Sequence, residues 1–266
     1  VLQPTHLFGL FPIFNSNVIK DINVYSSVIP GNYSGKISST IDINSNWSIA
    51  DTTVYKLDAS LFHIGLGYRV EDNGNKLFEV NWRKTFMNKT LWPFVGGILN
   101  QNDRLRYDLH DFNLNAKVLY KGHSFKTTFY SGRDAAEMGM YENNVSNVFD
   151  WGNQIIGITH NYDLARGRSL QSSVSKSKYD LNLELGLLGE DLAFTNRQFK
   201  YVFESQYRHT YNRLNWKTGL FIGLDVTDPI ISKVEDNAIF KTNLEKQKQY
   251  SFKYYVDLDI GYFNDL

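Results

Sequence analysis

The residues best able to ligate a metal or move a proton near neutral pH are six histidines, His6, His63, His110, His123, His160 and His209. None stands four residues from another, the spacing that brings two imidazoles together on a helix, and the chain has no cysteine. A dedicated metal centre is therefore not expected. The carboxylates Asp108 and Asp111, and Asp225 and Asp228, lie close enough in sequence to suggest acid–base pairs. No nucleophile with a base and an orienting partner accompanies them. Serine elbows, phosphate-cradling glycine loops and HExxH helices are likewise missing from the sequence. These carboxylates are read as lining a polar surface, and neither an enzyme nor a cofactor is expected.

Aromatic side chains are the other group able to hold a ligand. They make up 15% of the chain, almost wholly as 18 Phe and 17 Tyr, and tyrosine at that level suits wet, half-buried surfaces. Tyr55, Tyr68, Phe86, Trp92, Tyr207, Trp216, Tyr254 and Tyr262 fall near the ends of alternating runs. There they can stack on a sugar or mark a boundary between water and an apolar phase, and the boundary is the preferred reading. The 28 basic and 28 acidic residues cancel, so nothing draws the chain to nucleic acid. The lack of cysteine suits a secreted or surface protein without identifying a compartment. Asn-x-Ser/Thr sites at Asn32, Asn46, Asn88 and Asn144 would matter only in a eukaryotic secretory protein.

What must position these side chains is a set of long strands. Over residues 198–210, Phe199, Tyr201, Phe203, Tyr207 and His209 share one face, and Lys200, Glu204, Gln206 and Arg208 the other. Residues 214–226 set Trp216, Leu220 and Ile222 against Lys217 and Asp225. Residues 250–260 set Phe252, Tyr254 and Val256 against Lys253 and Asp257, and residues 112–120 set Leu114 and Val118 against Asn113 and Lys117. A helix would spread such residues around its circumference. Weaker runs at 52–60, 64–71, 77–87, 124–131, 154–162 and 168–180 bring the expectation to about ten strands. Tight connections at 121–123 and 211–213 alternate with long polar ones at 88–108, 133–150 and 228–249, as in a membrane barrel.

No stretch approaches the roughly 20 apolar residues of a spanning helix, so any contact with a bilayer must be made by strands. Soluble strands cluster near about 5–6 residues, and these run to about twice that, close to the roughly 9–11 needed to cross a bilayer at a tilt. A soluble, ligand-binding β-sandwich would alternate in the same way and remains the competing reading.

Residues 1–45 differ in character. They carry HLFGLFPIFNSNVIKDI, then two strand-like pieces joined by Pro30-Gly31-Asn32-Tyr33-Ser34-Gly35, a cluster of turn residues. The stretch IKDINVYSSVIPGNYSGKISSTIDI at 19–43 resembles the end of the plug in TonB-dependent receptors of Bacteroidetes. There a strand leads through Pro-Ala-x-Tyr-Gly-Gly-Arg into Ser-Ser-x-x-Asp-Ile. Pro30, Tyr33, Gly35, Ser38, Ser39, Asp42 and Ile43 match. Ser34 stands where the family usually has its first glycine, and Lys36 where it has arginine, keeping the charge but not the bidentate fork. Further along, FEVNWRKTF at 78–86, DWGNQ at 150–154 and SVSKSKYDLNLEL at 173–185 are similar to barrel segments of the same family.

The resemblance implies an all-β protein, an antiparallel transmembrane β-barrel of which this chain supplies part. Residues 1–45 would be the C-terminal part of the plug domain, and 46–266 the N-terminal half of a 22-stranded wall. About ten strands cannot close such a wall. The chain also opens on Val1, has no TonB box ahead of the plug and lacks a final aromatic strand, so it is expected to be a piece of a longer protein. The implied activity is active uptake across a Gram-negative outer membrane of a scarce substrate such as a glycan, siderophore or peptide. The implied partners are TonB with its energising inner-membrane complex, outer-membrane lipid and a possible surface lipoprotein. Pro30, Tyr33, Gly35, Lys36, Ser38, Ser39 and Asp42 form the plug signature, with a structural or gating role. A barrel that has lost transport and serves as a docking component of a lipoprotein or secretion complex is the alternative. In either case Leu220→Arg or Ile222→Arg, near the midplane, should cost about 2–4 kcal/mol and abolish assembly into outer-membrane vesicles. Lys217→Ala on the other face should be mild, and equal tolerance of both would count against the assignment of faces.

Overall fold

The structure, a computed structural model, describes residues 5–6, 11–12, 18–26, 29–33, 39–86, 90, 104–140, 145–187, 190–211, 214–235 and 238–260. Two small hairpins come first. β1 (Thr5–His6) pairs with β2 (Phe11–Pro12), and β3 (Ile19–Tyr25) with β4 (Thr40–Ser45), with a 3-10 turn at Gly31–Tyr33 between the latter two. One large sheet follows, made of β5 (Thr53–Ala59), β6 (His63–Asp72), β7 (Lys76–Thr85), β8 (Arg104–Tyr120), β9 (His123–Met140), β10 (Val145–Asp163), β11 (Arg168–Leu187), β12 (Glu190–Tyr211), β13 (Leu214–Glu235), β14 (Ala238–Asn243) and β15 (Gln247–Ile260). Every pairing is antiparallel, and from β5 to β13 each strand lies beside the next in sequence.

β14 and β15 both pair with β13 and continue one line along its edge. The three residues 244–246 oppose Asp228 and Pro229 on β13, one residue too many for the ladder, so the strand is interrupted by a bulge. Pro229 brings no N–H to that point. Counted as lines, the sheet has the ten strands that the alternation predicts. Its outer edges, β5 and β15, are unpaired among the described residues, so this is an open portion of a barrel wall.

The strands are longer than the sequence suggests. Segments 133–150 and 228–249, expected as loops, are mostly ladder, because β9 runs on to Met140, β10 starts at Val145 and β13 continues to Glu235. Asp108 likewise lies inside β8. Alternation detects a strand only where its two faces meet different surroundings. Where both meet water the ladder continues without a hydrophobic rhythm.

The two faces are inverted relative to a soluble protein. Tyr250, Phe252, Tyr254 and Leu258 are 68–75% exposed, whereas Glu79, Asn81, Asp111, Asn115 and Asp134 are at most 2% exposed on the opposite face. The apolar side chains of the outward face form a band: Phe112 to Tyr120 on β8, Phe199 to Tyr207 on β12 and Trp216 to Val226 on β13. That is about nine to eleven residues per strand, the length that crosses a bilayer. Beyond the band the same face becomes charged, with His110, Arg133, Asp150, Lys178, Asp180 and Arg197. At the other end are the tight turns, and the aromatic cluster there includes Tyr207, His209, Tyr211 and Trp216.

Those turns need backbone that few residues adopt. Asn73-Gly74 and Lys121-Gly122 each have two successive positive φ angles, the geometry of a hairpin turn that matches strand twist. Gly167, at φ +71°, also leaves no room, because a Cβ there would fall 2.4 Å from the Thr210 carbonyl oxygen. Gly74→Ala, with open space around it, should cost about 1–2 kcal/mol for the left-handed backbone alone. Gly167→Ala should cost clearly more, and unfolding in urea from detergent micelles would rank the two; a Gly167 variant as stable as the Gly74 one would contradict the close approach.

Candidate functional site

The polar face of the wall and the β3–β4 hairpin meet at one place. Pro30 opens the turn with its fixed φ, and the Tyr33 N–H donates to the Pro30 carbonyl at 2.9 Å to close it. Within that turn the Gly31 N–H donates to Asp257 Oδ1 of β15 at 2.9 Å. A Cβ on Gly31 would lie 2.4 Å from that same oxygen, so any larger residue there would have to shift the Asp257 carboxylate. Tyr33 packs on Tyr25 with ring centroids 5.6 Å apart. At the base of the hairpin Asn44 donates to Asp21 at 2.7 Å and to Asp42 at 3.1 Å.

Between hairpin and wall lies a polar cavity of about 390 Å³, bounded by Tyr33 and Asp42 on one side and by Glu204, Arg208 and Lys217 on the other. Tyr255 buttresses the wall behind it, its hydroxyl in hydrogen-bond contact with Gln206 Oε1 at 3.1 Å and Glu204 Oε1 at 3.3 Å. Both charge signs are present, so the cavity suits a polar occupant without selecting an anion or a cation.

The linker from β4 to β5 is held more firmly. Arg69 donates from Nη1 to the Asn46 carbonyl at 2.9 Å and from Nη2 to the Ser48 carbonyl at 2.5 Å, and Lys117 Nζ donates to the Trp47 carbonyl at 2.9 Å. Three successive carbonyls are thus taken by two cations of the wall. Arg69 Nε also meets Glu71 Oε1 at 2.5 Å, and the Ala50 N–H donates to the other oxygen of Glu71. Arg69 and Glu71 are both buried.

Farther from the turns, Arg83 binds Asp111 through Nε at 2.7 Å and Nη2 at 2.5 Å, and the Tyr107 hydroxyl donates to Asp134. Burial first, and the Asp134 carboxylate second, push the Tyr107 phenol well above its ordinary range, fixing it as a neutral donor. On the outward face the Arg133 guanidinium grips Asp150 bidentately at 2.8 and 2.5 Å. That hydrogen bond raises the Arg133 pKa.

Of the signature residues, Pro30, Tyr33 and Asp42 come together on the cavity, while Ser39 is exposed ahead of β4. Gly35, Lys36 and Ser38 lie outside the described residues, as do Trp92 and Tyr262. Sequence reasoning missed Gly31, Arg69 and Lys117 as contact residues, and it placed Asp257 on the polar face without its partner. The Gly31–Asp257 contact spans 226 residues, so no local pattern announces it. His123 and His160 were also read as isolated, yet the β9–β10 register sets Nδ1 of one 2.9 Å from Nε2 of the other, stacked with Tyr162 and Phe125 near the tight turns. Among the described residues no group of three or more potential metal ligands forms.

No family model matches the sequence, and no curated protein does. The fold is similar to that of the ferric yersiniabactin uptake receptor FyuA from Yersinia pestis, with a TM-score of 0.50 at 9% identity over 91% of this chain. The chain spans 39% of the length of that receptor. At this identity the likeness establishes the shared fold, a β-barrel wall. Arg69→Ala would leave Glu71 buried without its guanidinium and free two linker carbonyls. Removing one partner of such a pair should cost about 3–5 kcal/mol, with faster amide exchange at residues 46–50; exchange rates there equal to those of the unaltered protein would show that Arg69 does not hold the linker.

Proposed function

We propose that this chain supplies the end of a plug, residues 1–45, and the first half of a wall, residues 46–266, of an outer-membrane transporter energised through TonB. The cargo is a scarce nutrient such as a glycan, siderophore or peptide. The observation that carries the proposal is the seating of the Gly31 turn on Asp257 at the polar face, with the apolar face turned outward. A hairpin held on the water-side face of a barrel obstructs the lumen, and the resemblance at residues 19–43 is to a plug. The shared fold with an uptake receptor supports the same reading.

The parts then divide the work. The apolar band meets lipid, and the polar wall with its satisfied Arg83–Asp111 and Tyr107–Asp134 pairs meets water. The turn contact, beside a polar cavity that water can enter, is the part that a pull transmitted by the energised inner-membrane partner would release. The linker clamp keeps the plug attached while it moves.

Two measurements test this. Cells carrying the complete gene should take up the limiting nutrient, found by growth on a panel of glycans, iron chelates and peptides, and lose that uptake when TonB is deleted. Uptake undiminished without TonB would remove the energised mechanism. Deleting residues 19–45 should raise ion conductance through the purified protein in planar bilayers, and unchanged conductance would mean that the hairpin does not obstruct the lumen.

A further inference from the structure

The outward face carries, at the margin of the apolar band, an ionisable side chain that meets no counter-charge among the described residues. Lys176 of β11 stands opposite Ile156 on β10 and Tyr201 on β12. Its Nζ lies 5.5 Å from the Tyr201 ring centroid and 5.9 Å from that of Phe199. Among the described residues it forms no ion pair; Asp180, farther along the same face, is taken by Lys178 at 2.5 Å and Arg197 at 3.8 Å. A cation beside lipid chains is costly, and lysine there turns its ammonium toward the interface or an anion.

The ground on either side of Lys176 is unequal. Toward the tight turns the wall has an apolar groove of about 470 Å³ lined by Ile158, Val174, Phe203, Ile222 and Tyr250. Away from them a polar cavity of about 360 Å³ includes Arg133, Lys178 and Arg197. With Lys176, these make four cations against the two carboxylates Asp150 and Asp180. Lys176 and Lys178 are two residues apart on one strand, so their side chains share a face and join groove to cavity.

We propose that this part of the outer wall binds a phosphate-bearing, acylated lipid of the leaflet away from the tight turns. One acyl chain lies along the groove and the phosphate sits between Lys176 and Lys178, with Arg197 beyond. An apolar groove alone would accept any lipid chain; the surplus positive charge at its mouth selects an anionic headgroup. A phosphate there satisfies Lys176 without displacing Asp180 from its present partners. The inference rests on the wall crossing a membrane, as proposed above.

The protein, expressed from its complete gene and extracted in neutral detergent, would be titrated with dioleoyl phosphatidic acid and separately with dioleoyl phosphatidylcholine, and the lipid-bound forms counted by native mass spectrometry. Phosphatidic acid should be retained preferentially, by about fivefold for each lysine engaged. Lys176→Gln with Lys178→Gln should bring the two lipids close to parity, while Lys76→Gln, the same charge loss near a tight turn, should leave the preference intact. Equal retention by the unaltered protein, or an unchanged preference in the double variant, overturns the proposal. So does complete displacement by equimolar inorganic phosphate, which would assign the cations to a free anion. Heat-modifiable migration in the same preparation reports the folded barrel independently. Its absence would remove the membrane wall itself, whereas its presence without lipid preference removes only the lipid site.

Discussion

The structure depends on one requirement, that backbone N–H and C=O groups placed in hydrocarbon find partners within the protein. Water is absent there, and each unsatisfied group costs several kcal/mol. An antiparallel meander in which each strand pairs with the next answers this with local connections, and the pairing of β8 through β13 runs in continuous register over nearly the full strand lengths. Among the described residues of the large sheet the ladder breaks between β14 and β15, opposite Pro229, beyond the apolar band and therefore where water can satisfy what the ladder does not.

Once the backbone is committed to the ladder, side chains are free to differ by face. Period-two geometry sends alternate residues to opposite sides, so one strand can offer Phe203 outward and Glu204 inward at no structural expense. The inward side then becomes the place where charge can be buried, beside an opposite charge, a carbonyl or a hydroxyl. Arg83 finds Asp111, and Arg69 finds Glu71 together with the linker. Such pairs add little net stability over apolar packing. They do fix which carbonyls are held, and so they set where residues 46–50 attach to the wall.

The sequence was most legible where surroundings differ most. Within the apolar band, residues 112–120, 198–210, 214–226 and 250–260 declare strand and face without help from the structure. Beyond the band both faces are wet, and the strand continuations at 133–140 and 228–235 read as loops. The hairpin was legible for another reason: two strand-like pieces flank the cluster of turn residues at 30–35, and the structure pairs them as β3 and β4. What could not be read were contacts that depend on register or on distant closure. The His123–His160 pair follows from the β9–β10 alignment, and Gly31 meets Asp257 across 226 residues of chain.

The two attachments of the hairpin are unequal, and that inequality has a direction. The turn is joined to β15 through the Gly31 hydrogen bond, which lies beside a cavity large enough for water to replace it. The linker is joined by Arg69 and Lys117 to three successive carbonyls, and Arg69, 6% exposed, cannot withdraw without leaving Glu71 buried and uncompensated. The turn holds by one charge-assisted hydrogen bond and the linker by three, and breaking the buried Arg69–Glu71 pair is dearer still. A force on the hairpin therefore separates the turn from the wall first and meets the clamp second. In a transporter of the kind proposed, that order lets a plug shift within the lumen and remain tethered to the strand it must return to.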